Sequence, residues 1–291
     1  MSGVFAGKTA IVTGGGSGIG EALSLELARR GAQVIIADIN GEDARRVATA
    51  ITASGGHATA TTVDVAREQD VRHLVQGTAS GYGHLDYLFN NAGIGLGGDA
   101  RDLTADHWRR VLDVDLYGVL HGVLAAYPIM ARQGSGHIVN TSSAAAFFPD
   151  PGNAPYCTAK HAVVGLSLSL RLEGADLGVK VSCVCPGFVR TNIYQNADVV
   201  NMNLPADLPR EQLAGAPAKM MTAARAAQLI LDGVSGNQAL IIFPASIRWG
   251  RRAYHVFPRL FDRYLLRQMR QWRTYRPAAP VSPQPDTTPP R

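Results

Sequence analysis

Three side chains near the middle of the chain have the types and the spacing needed to move a proton to or from an oxygen atom. Tyr156 and Lys160 lie four residues apart in a segment with helical periodicity, so they share one helix face. Ser143 follows an apolar run typical of a strand. A phenol is a poor base at neutral pH, and an adjacent ammonium lowers its pKa by favouring the phenolate. A serine hydroxyl can hold a substrate oxygen while its charge changes. The three residues therefore suit the removal of a proton from an alcohol as hydride leaves its carbon, or the reverse.

A glycine-rich segment near the N-terminus has the composition of a phosphate-binding turn. It reads TGGGSGIG over residues 13–20, follows a strand-like run and opens a helical pattern. Glycines permit a tight turn and the close approach of a pyrophosphate, which the free N–H groups of a helix N-terminus stabilise. An isolated glycine pattern also fits an ordinary turn, but here the order strand, turn, helix agrees with a dinucleotide site. We therefore expect a dinucleotide to contact Gly14, Ser17, Gly18, Ile19 and Gly20.

Asp38 distinguishes between two such dinucleotides. It ends the second predicted strand, about 20 residues beyond the glycine segment, where a carboxylate binds the adenosine ribose hydroxyls and repels a 2′-phosphate. No basic residue stands at Ser17 or Ile39 to compensate. The sequence therefore favours NAD over NADP. The alternative interpretation is that Asp38 is only a solvated acid at the end of a strand.

Two further strand ends carry candidate cofactor contacts. Asp64 and Val65 end the third predicted strand, and their carboxylate and N–H group are suited to pairing with an adenine edge. Asn91, Ala92 and Gly93 end the fourth predicted strand, where small residues let a cofactor lie against the backbone. Ligands of open parallel sheets bind outside the carboxyl ends of the strands. All these residues fall at that edge.

The elements that position these residues alternate between strand and helix. Near-continuous apolar strands separated by helical patterns are typical of βαβ units and of a parallel sheet covered on both faces. We predict the α/β class, with a single doubly wound Rossmann domain over residues 1–245 and a seven-stranded parallel sheet. The predicted strands are 9–14, 33–38, 60–65, 85–93, 137–143, 179–187 and 239–244, and the predicted helices are 21–31, 42–56, 67–83, 107–134, 156–178 and 222–234.

Residues 188–221 interrupt this alternation with prolines 205, 209 and 217. A long irregular segment in a compact domain is usually functional, so we predict a substrate flap. We expect residues 144–155 and 188–221 to determine substrate choice, and these two segments contain no cluster of Arg or Lys, although Arg190 and Arg210 are present. A bulky apolar alcohol or ketone (steroid-, terpenoid-, aromatic- or long-chain-like) is therefore favoured over a polyanion. The aromatic candidates for the substrate walls, with core packing or a subunit contact as the alternative, are Phe147, Phe148, Phe188 and Tyr194.

The net charge of +5 is unevenly distributed. Residues from 245 onward hold ten arginines and two acids, a net charge of +8, whereas residues 1–244 carry a net charge of −3. In residues 246–276, apolar side chains recur at helical spacing with arginines on the other faces, which predicts a basic amphipathic helical extension. This extension has three possible binding sites. It lies on an anionic membrane, it packs on a partner subunit or covers the substrate entrance, or it packs on the surface of its own domain. The proline-rich residues 277–291 are predicted to be disordered.

Other features favour a cytoplasmic protein, with peripheral membrane contact through residues 246–276 left open. The sequence contains no run of ~18 apolar residues, so we expect no membrane-spanning helix. The N-terminus lacks the basic and apolar regions of a secretory signal. Three cysteines give no disulfide framework. The histidines lack the spacing of a metal site, and no nucleic-acid recognition motif accompanies the arginines.

Together, these motifs resemble those of the short-chain dehydrogenase/reductase family. The resemblance implies that Tyr156 is the general acid/base, that Lys160 lowers its pKa and binds the nicotinamide ribose, and that Ser143 polarises the substrate oxygen. It also implies a homodimer or homotetramer with residues 107–134 and 156–178 at the interface, and a carboxamide site at Pro186, Gly187, Val189 and Thr191. The matching segments, in the family's order, are TGGGSGIG (13–20), Asp64, NNAG (90–93), Ser143, YCTAK (156–160) and PGFVRT (186–191).

The sequence departs from the family at Asp115. The segment 114–118 reads VDLYG, where the family usually has asparagine at the second position. In the family that residue supports a water relay to the lysine, partly through its backbone carbonyl, and this role survives the replacement. A buried carboxylate near Lys160 would also alter the charge balance of the lysine and the pH optimum. We expect Asp115 to be tolerated.

The sequence therefore predicts an oxidoreductase that transfers a hydride between NAD and a small-molecule secondary alcohol or ketone. One alternative is a reductase of 3-oxoacyl thioesters, whose phosphorylated carrier would need basic residues such as those of the C-terminal segment. The other is a dinucleotide-sensing or scaffold protein with little turnover. Asp115 leaves that second alternative open, and the intact set of Ser143, Tyr156 and Lys160 argues against it.

Overall fold

The computed structural model of the protein describes residues 3–205, 207–209, 211, 216 and 220–277. Helices separate the seven strands that form the main sheet, as the sequence predicts, and short extra strands follow the fourth and the sixth of them. The strands are β1 (Thr9–Thr13), β2 (Gln33–Asp38), β3 (His57–Thr62), β4 (Tyr87–Asn90), β5 (Leu96–Gly97), β6 (Gly136–Thr141), β7 (Val179–Pro186), β8 (Val189–Arg190), β9 (Asp198–Val199), β10 (Met221–Thr222) and β11 (Leu240–Phe243). The α-helices are α1 (Gly18–Arg29), α2 (Gly41–Ala53), α3 (Glu68–Tyr82), α4 (Ala105–Leu112), α5 (Gly118–Gln133), α6 (Ala154–Glu173), α7 (Ala223–Ser235), α8 (Ala245–Val256) and α9 (Pro258–Arg273).

Seven of these strands form one parallel sheet in the order β11-β7-β6-β4-β1-β2-β3. The order reverses at β1, because β2 and β3 lie on one side of it and β4 lies on the other. Such a reversal leaves a crevice at the carboxyl edge of the sheet. The predicted α/β class, with a doubly wound sheet of seven parallel strands and C-terminal helices, is confirmed.

Helices cover both faces of the sheet, so its central strands are buried on both sides. In β1, Val12 packs with Leu27 and Ile230 on one face. The adjacent Ile11 packs with Val75 on the opposite face. Successive side chains of a strand point to opposite faces, and a near-continuous apolar strand is therefore required here. This double-sided packing fixes the strand ends that carry the candidate site.

A continuous helical stretch joins α4 to α5 through a π-helical turn at Asp113–Tyr117. By length and composition alone, Ala105–Gln133 (29 residues, with an 18-residue window of mean hydropathy 1.3) is the one helix in the described part of the chain that is long and apolar enough to cross a membrane. A core helix passes the same test, and this stretch buries Val123 and Met130 in the cluster against the sheet. A π-helical turn often marks a functional position, and this one carries Asp115.

Several predicted segments have different bounds in the structure. The C-terminal extension is two helices, because Pro258 lacks an N–H group and fits only in a first helical turn. Strand β3 ends at Thr62, opposite Asp38 in its ladder with β2, so residues 63–65 lie beyond the strand. Residues 278–291 of the predicted disordered tail, together with Arg210 and Pro217, lie outside the described residues.

Candidate active site

The glycine segment forms a turn too tight for side chains. Gly14 and Gly18 have φ angles of +61° and +55°. A Cβ at Gly14 would lie 2.8 Å from the Cα of Ala92, and a Cβ at Gly20 would lie 1.9 Å from the carbonyl oxygen of Gly14. Ser17 is the N-cap of α1, yet its side chain makes no capping hydrogen bond. The turn therefore presents the first N–H groups of α1 to a ligand.

Asp38 is anchored beside this turn. Its Oδ2 accepts a hydrogen bond from the N–H of Gly16 at 2.9 Å, and its Oδ1 accepts one from the N–H of Asn40 at 2.9 Å. The guanidinium of Arg46 also reaches the turn, but it donates to the carbonyl of Gly16 at 2.8 Å and forms an ion pair with Glu21. The carboxylate thus lies beside the glycine turn, and the guanidinium of Arg46 is paired with Glu21.

Thr13 joins the end of β1 to the end of β4. Its hydroxyl accepts hydrogen bonds from the N–H groups of Asn91 at 3.0 Å and Ala92 at 3.2 Å. The side-chain amide of Asn91 donates to the carbonyl of Thr13 at 3.1 Å. The sequence motif contains this threonine, but only the structure assigns its hydroxyl a positioning role.

The remaining predicted cofactor contacts surround the same crevice. An Oδ1 of Asp64 accepts the N–H of Ala66 at 3.0 Å, which fixes the carboxylate at the turn after β3. A hydrogen bond of 2.9 Å joins Nδ1 of His121 to the carbonyl of Val65. Thr191 lies against the glycine turn, since a Cβ at Gly18 would be 3.2 Å from its side chain. In the same segment, residues 186–191, Val189 is buried. Pro186 and Gly187 line a cavity that Ser143 and Tyr156 also line.

Lys160 lies behind Tyr156, and Asp115 neutralises it. The Nζ of Lys160 is 2.7 Å from Oδ1 of Asp115, and the two side chains are 3% and 0% exposed. The same Nζ donates to the carbonyl of Thr141 at 3.2 Å and lies 5.3 Å from the centroid of the Tyr156 ring. The other carboxylate oxygen of Asp115 accepts the N–H of Ile94 at 3.1 Å. The structure thus joins Tyr156, Lys160 and Asp115 in one buried cluster.

Burial and charge act in opposite directions on this cluster. Burial raises the pKa of Tyr156, while Lys160 and the hydroxyl of Ser143 lower it and Asp115 raises it further. The net pKa of Tyr156 is raised, although the ammonium acts in the predicted direction. Burial lowers the pKa of Lys160, but Asp115 and Tyr156 outweigh burial and raise it. Burial also raises the pKa of Asp115, against the effect of Lys160. The lysine therefore remains an ammonium.

Ser143 and Tyr156 line a cavity of about 440 Å³ at the carboxyl edge of the sheet. Three of the four predicted aromatic wall residues, Phe148, Phe188 and Tyr194, line it. Phe147 is not among its lining residues, and its ring lies 4.6 Å from the guanidinium carbon of Arg251. Burial raises the pKa of Tyr194, so this phenol stays neutral at physiological pH.

The C-terminal helix α9 closes one side of this cavity. A position at the substrate entrance was one of the alternatives that the sequence left open for this segment. Met269 and Trp272 line the cavity. The Trp272 ring packs against Gly97 and Gly152, where a Cβ on Gly152 would be 2.6 Å from it. Phe261 stacks on Phe148 with ring centroids 6.3 Å apart. The apolar stripe predicted for this helix therefore faces its own domain and the cavity.

An ion-pair cluster holds the end of α9. Arg273 donates to Oδ2 of Asp99 at 2.9 Å, and Arg101 pairs with the same carboxylate. The Asp99 side chain is 3% exposed. Hydrogen bonds from Arg101 and Arg273 hold its pKa well below the usual range despite burial. Arg276 pairs with Asp102 at 2.6 Å. These contacts connect α9 to the loop that follows β5.

His137 is deeply buried. Burial lowers the pKa of His137 to about 3, and its Nε2 lies 2.9 Å from the hydroxyl of Ser182. Across the described ranges, no group of three or more His, Cys, Asp or Glu side chains is arranged to hold a metal ion.

Comparison with known proteins identifies similar sequences and folds. Residues 8–199 match the family model described as short chain dehydrogenase. The chain is 38% identical over 207 residues to cyclohexanol dehydrogenase of Acinetobacter sp. (strain SE19), covering 70% of this chain and 82% of that protein. It is 35% identical over 217 residues to 2,5-dichloro-2,5-cyclohexadiene-1,4-diol dehydrogenase LinX of Sphingobium indicum, covering 75% and 84%. The crystal structure of a short chain dehydrogenase/reductase from Burkholderia phymatum in complex with NAD matches with a TM-score of 0.79 and 29% identity, covering 96% of this chain and 99% of that chain.

Proposed function

The chain belongs to the short-chain dehydrogenase/reductase family of oxidoreductases, and from this premise we propose that it transfers a hydride between NAD and a secondary alcohol or ketone. The observation that carries the proposal is the position of Ser143 and Tyr156 on one cavity, with Lys160 behind the phenol ring. A proton donor or acceptor, a hydroxyl that can polarise the substrate and a buried cation are the groups that this reaction requires.

Tyr156 acts as the general acid/base. In the oxidising direction its phenolate accepts the proton of the substrate O–H, and the substrate carbon becomes a carbonyl as its hydride leaves. NAD, when bound, supplies the hydride acceptor. Ser143 donates a hydrogen bond to the substrate oxygen and orients it. Lys160 favours the phenolate electrostatically, and in the reducing direction Tyr156 returns the proton.

The residues around the glycine turn fit NAD. A Cβ would fill the turn at Gly14 and Gly20, and the uncapped first turn of α1 offers N–H groups to a pyrophosphate. Asp38 would accept the ribose hydroxyls, and its charge disfavours a 2′-phosphate. Lys160 would bind the nicotinamide ribose. The other proposed contacts are Ser17, Gly18, Ile19, Asp64, Val65, Asn91, Ala92, Gly93, Tyr156, Pro186, Gly187, Val189 and Thr191.

The proposed substrate is an apolar cyclic alcohol or its ketone. The cavity is walled by Phe148, Phe188, Tyr194 and Trp272, and its volume suits a small organic molecule. The relatives are named for cyclohexanol and a cyclohexadiene diol. A 3-oxoacyl thioester is disfavoured, since no Lys or Arg is among the described lining residues. A non-catalytic scaffold role is disfavoured by the intact set of Ser143, Tyr156 and Lys160.

The proposed assembly is a homodimer or homotetramer built through α5 and α6. Leu124 on α5 and Leu168 and Leu172 on α6 are exposed in the single chain, and a partner would bury them. We further propose that the protein is cytoplasmic and that the outer face of α8 and α9 contacts membranes peripherally. That face exposes apolar side chains among arginines.

The test of the proposed function is NADH formation by the full-length protein with a panel of cyclic, aromatic, terpenoid, steroid and long-chain secondary alcohols. We expect a cyclic alcohol to be oxidised with NAD in preference to NADP. Tyr156→Phe should lower turnover by about 10³-fold and leave most of the NADH affinity, because it removes only one of the many proposed cofactor contacts. Tyr82→Phe, at an exposed position on α3, is the matched control. Turnover that survives in Tyr156→Phe would rule out this mechanism.

A further inference from the structure

Asp150 brings a formal charge into the wall of an otherwise neutral cavity. No other Asp, Glu, Lys or Arg is found among the described residues that line this cavity. Its carboxylate affects the pKa values of both Tyr156 and Tyr194, the phenols of the same cavity. A carboxylate in largely apolar surroundings costs free energy unless donors compensate it. The position of Asp150 therefore calls for a hydrogen-bond donor.

The protein provides only part of that compensation. Asn153 donates from Nδ2 to Oδ2 of Asp150 at 3.0 Å, and its N–H donates to the carbonyl of Asp150 at 3.0 Å. The described residues provide no further hydrogen bond to this carboxylate. The second carboxylate oxygen, Oδ1, accepts no hydrogen bond from the described residues. It is not one of the fully buried side-chain atoms that lack a partner, so it is accessible. An ionised carboxylate can accept about four hydrogen bonds.

We propose that Asp150 binds a second hydroxyl group of the substrate, distant from the carbinol that Tyr156 deprotonates. The inference rests on the proposed alcohol dehydrogenase function and narrows its substrate class to diols and hydroxyketones. The substrate hydroxyl donates to the accessible oxygen of Asp150, and Asn153 holds the other oxygen in place. A hydrogen bond to a charged acceptor is stronger than one between neutral groups.

The surrounding wall makes this interaction selective. The residues next to Asp150 in the sequence, Pro149 and Pro151, line the same cavity, as do Phe148 and Trp272. None of these four side chains competes as an acceptor for the hydroxyl. A ligand that places a methyl group against Asp150 removes water from the carboxylate without replacing the hydrogen bond. Sites built to bind a substrate hydroxyl discriminate strongly against analogues that lack it.

The experiment compares kcat/KM of the full-length protein with NAD for cyclohexane-1,3-diol and cyclohexane-1,4-diol against 3- and 4-methylcyclohexanol, which have nearly the same size. We expect the wild-type protein to prefer one diol over its methyl analogue by about ten- to a hundredfold. In Asp150→Leu this ratio should fall to one or below. Asp150→Asn keeps a neutral acceptor and the shape of the loop, so its ratio should be intermediate. Asp106→Asn makes the same change at a side chain that is 86% exposed, and its ratio should equal that of the wild type.

NADH affinity and thermal midpoints of the variants separate lost recognition from lost folding, and the ratio cancels general losses of activity. Equal ratios in the wild type and both Asp150 variants would overturn the inference. Preference for 4-aminocyclohexanol over the diol would also overturn it, because the site would then be one for an ammonium. If the methyl analogues are oxidised without any preference for a diol, the proposed function stands and this inference fails. If no alcohol is oxidised, the proposed function fails and the inference fails with it.

Discussion

The carboxylate of Asp115 lies 2.7 Å from the ammonium nitrogen of Lys160, and both side chains are buried. Gly93 packs against this pair, since a Cβ there would be 2.8 Å from Oδ1 of Asp115. The family's asparagine at this position would be neutral, whereas Asp115 adds a negative charge next to the cation that acts on Tyr156. The phenol of Tyr156, whose pKa burial raises, is therefore acted on by both charges of the pair and not by Lys160 alone.

Asp115→Asn should move the pH profile of alcohol oxidation to lower pH. Oxidation uses the phenolate, so its rate rises with pH through the pKa of Tyr156. Asp115 raises that pKa, and removal of its charge should shift the rising limb of kcat/KM downward by about one unit. Turnover at the optimum should persist, because the backbone at this position is unchanged.

Asp113→Asn makes the same substitution in the same π-helical turn and serves as the control for this experiment. An unchanged pH profile and turnover in Asp115→Asn would show that its side chain has no role in proton transfer.

Asp38→Ala should weaken the preference for NAD. The lost carboxylate removes an acceptor for the ribose hydroxyls and the repulsion of a 2′-phosphate, so KM for NAD should rise by about ten- to a hundredfold while kcat/KM for NADP rises. Asp38 also holds the N–H of Gly16, and general loosening of the turn would weaken both dinucleotides. The opposite changes for NAD and NADP are therefore the diagnostic result. Asp176→Asn, at an exposed position, is the control.

The cofactor side of the site could be predicted from the sequence because its determinants are local. The turn between β1 and α1 requires positive φ angles at Gly14 and Gly18, and glycine is the residue that adopts them readily. The position of Asp38 is then set by the lengths of α1 and β2, which separate it from the glycine turn. The partners of Thr13 lie 78 and 79 positions away, and the sequence motif alone did not identify its bridging hydroxyl.

The substrate side could be predicted only in part, because it also depends on contacts between distant segments. Arg273 reaches Asp99 across 174 positions, and no local pattern encodes that pairing. Phe147 and Phe148 are adjacent and chemically identical, so the sequence does not show that Phe148 alone of the two lines the cavity. The division of the C-terminal extension into α8 and α9 has a local signal in the sequence, since Pro258 favours the first turn of a helix.

Asp99→Asn should release the end of α9. The variant loses charge-assisted hydrogen bonds from Arg101 and Arg273, which should cost about 2 kcal/mol in the free energy of unfolding. KM for an apolar alcohol should rise severalfold, because Trp272 and Met269 lose their fixed place in the cavity wall. Because the pKa of Asp99 is lowered in the folded state, its contribution to stability is complete above the unfolded pKa of ~3.9 and is lost as pH falls through the lower folded value.

Urea unfolding and limited proteolysis of the C-terminal helices measure this effect. Asp106→Asn, which breaks only an exposed pair with Arg109, is the control and should leave both measurements unchanged. In a double-mutant cycle, Arg273→Gln should cost much less in the Asp99→Asn background than in the wild type. Full additivity of the two substitutions would contradict direct coupling between α9 and Asp99.

Leu172→Glu should dissociate the proposed homo-oligomer. Leu172 is 79% exposed on α6 in the single chain, so an added charge harms a partner contact more than it harms the fold of the protomer. Sedimentation velocity should show a shift toward monomer, with little change in the far-UV circular dichroism spectrum. Leu25→Glu, at an exposed position on α1, should leave the assembly intact. An oligomer that persists unchanged in Leu172→Glu places the interface elsewhere.

The outer face of α8 and α9 should bind anionic membranes. Large apolar side chains, including Trp249, Phe257, Leu260 and Tyr264, are exposed there, and Asp262 is the one acid in the two helices. Aromatic residues among arginines are typical of helices that lie in a lipid headgroup region. Replacing Arg259, Arg263 and Arg267 with glutamine should remove about 3 kcal/mol of binding free energy to anionic vesicles, at roughly 1 kcal/mol per charge.

Sedimentation with vesicles of anionic and of neutral lipid measures this binding, and added salt should release the protein from the anionic vesicles. A matched triple substitution of Arg67, Arg72 and Arg109 to glutamine removes the same charge from other exposed positions. It should leave vesicle binding close to that of the wild type, because those arginines lie outside α8 and α9. Equal losses in the two triple variants would mean that net charge alone drives the association. Sedimentation that is the same with and without anionic vesicles would exclude a membrane role, and burial of this face against a partner subunit would then be the explanation to test.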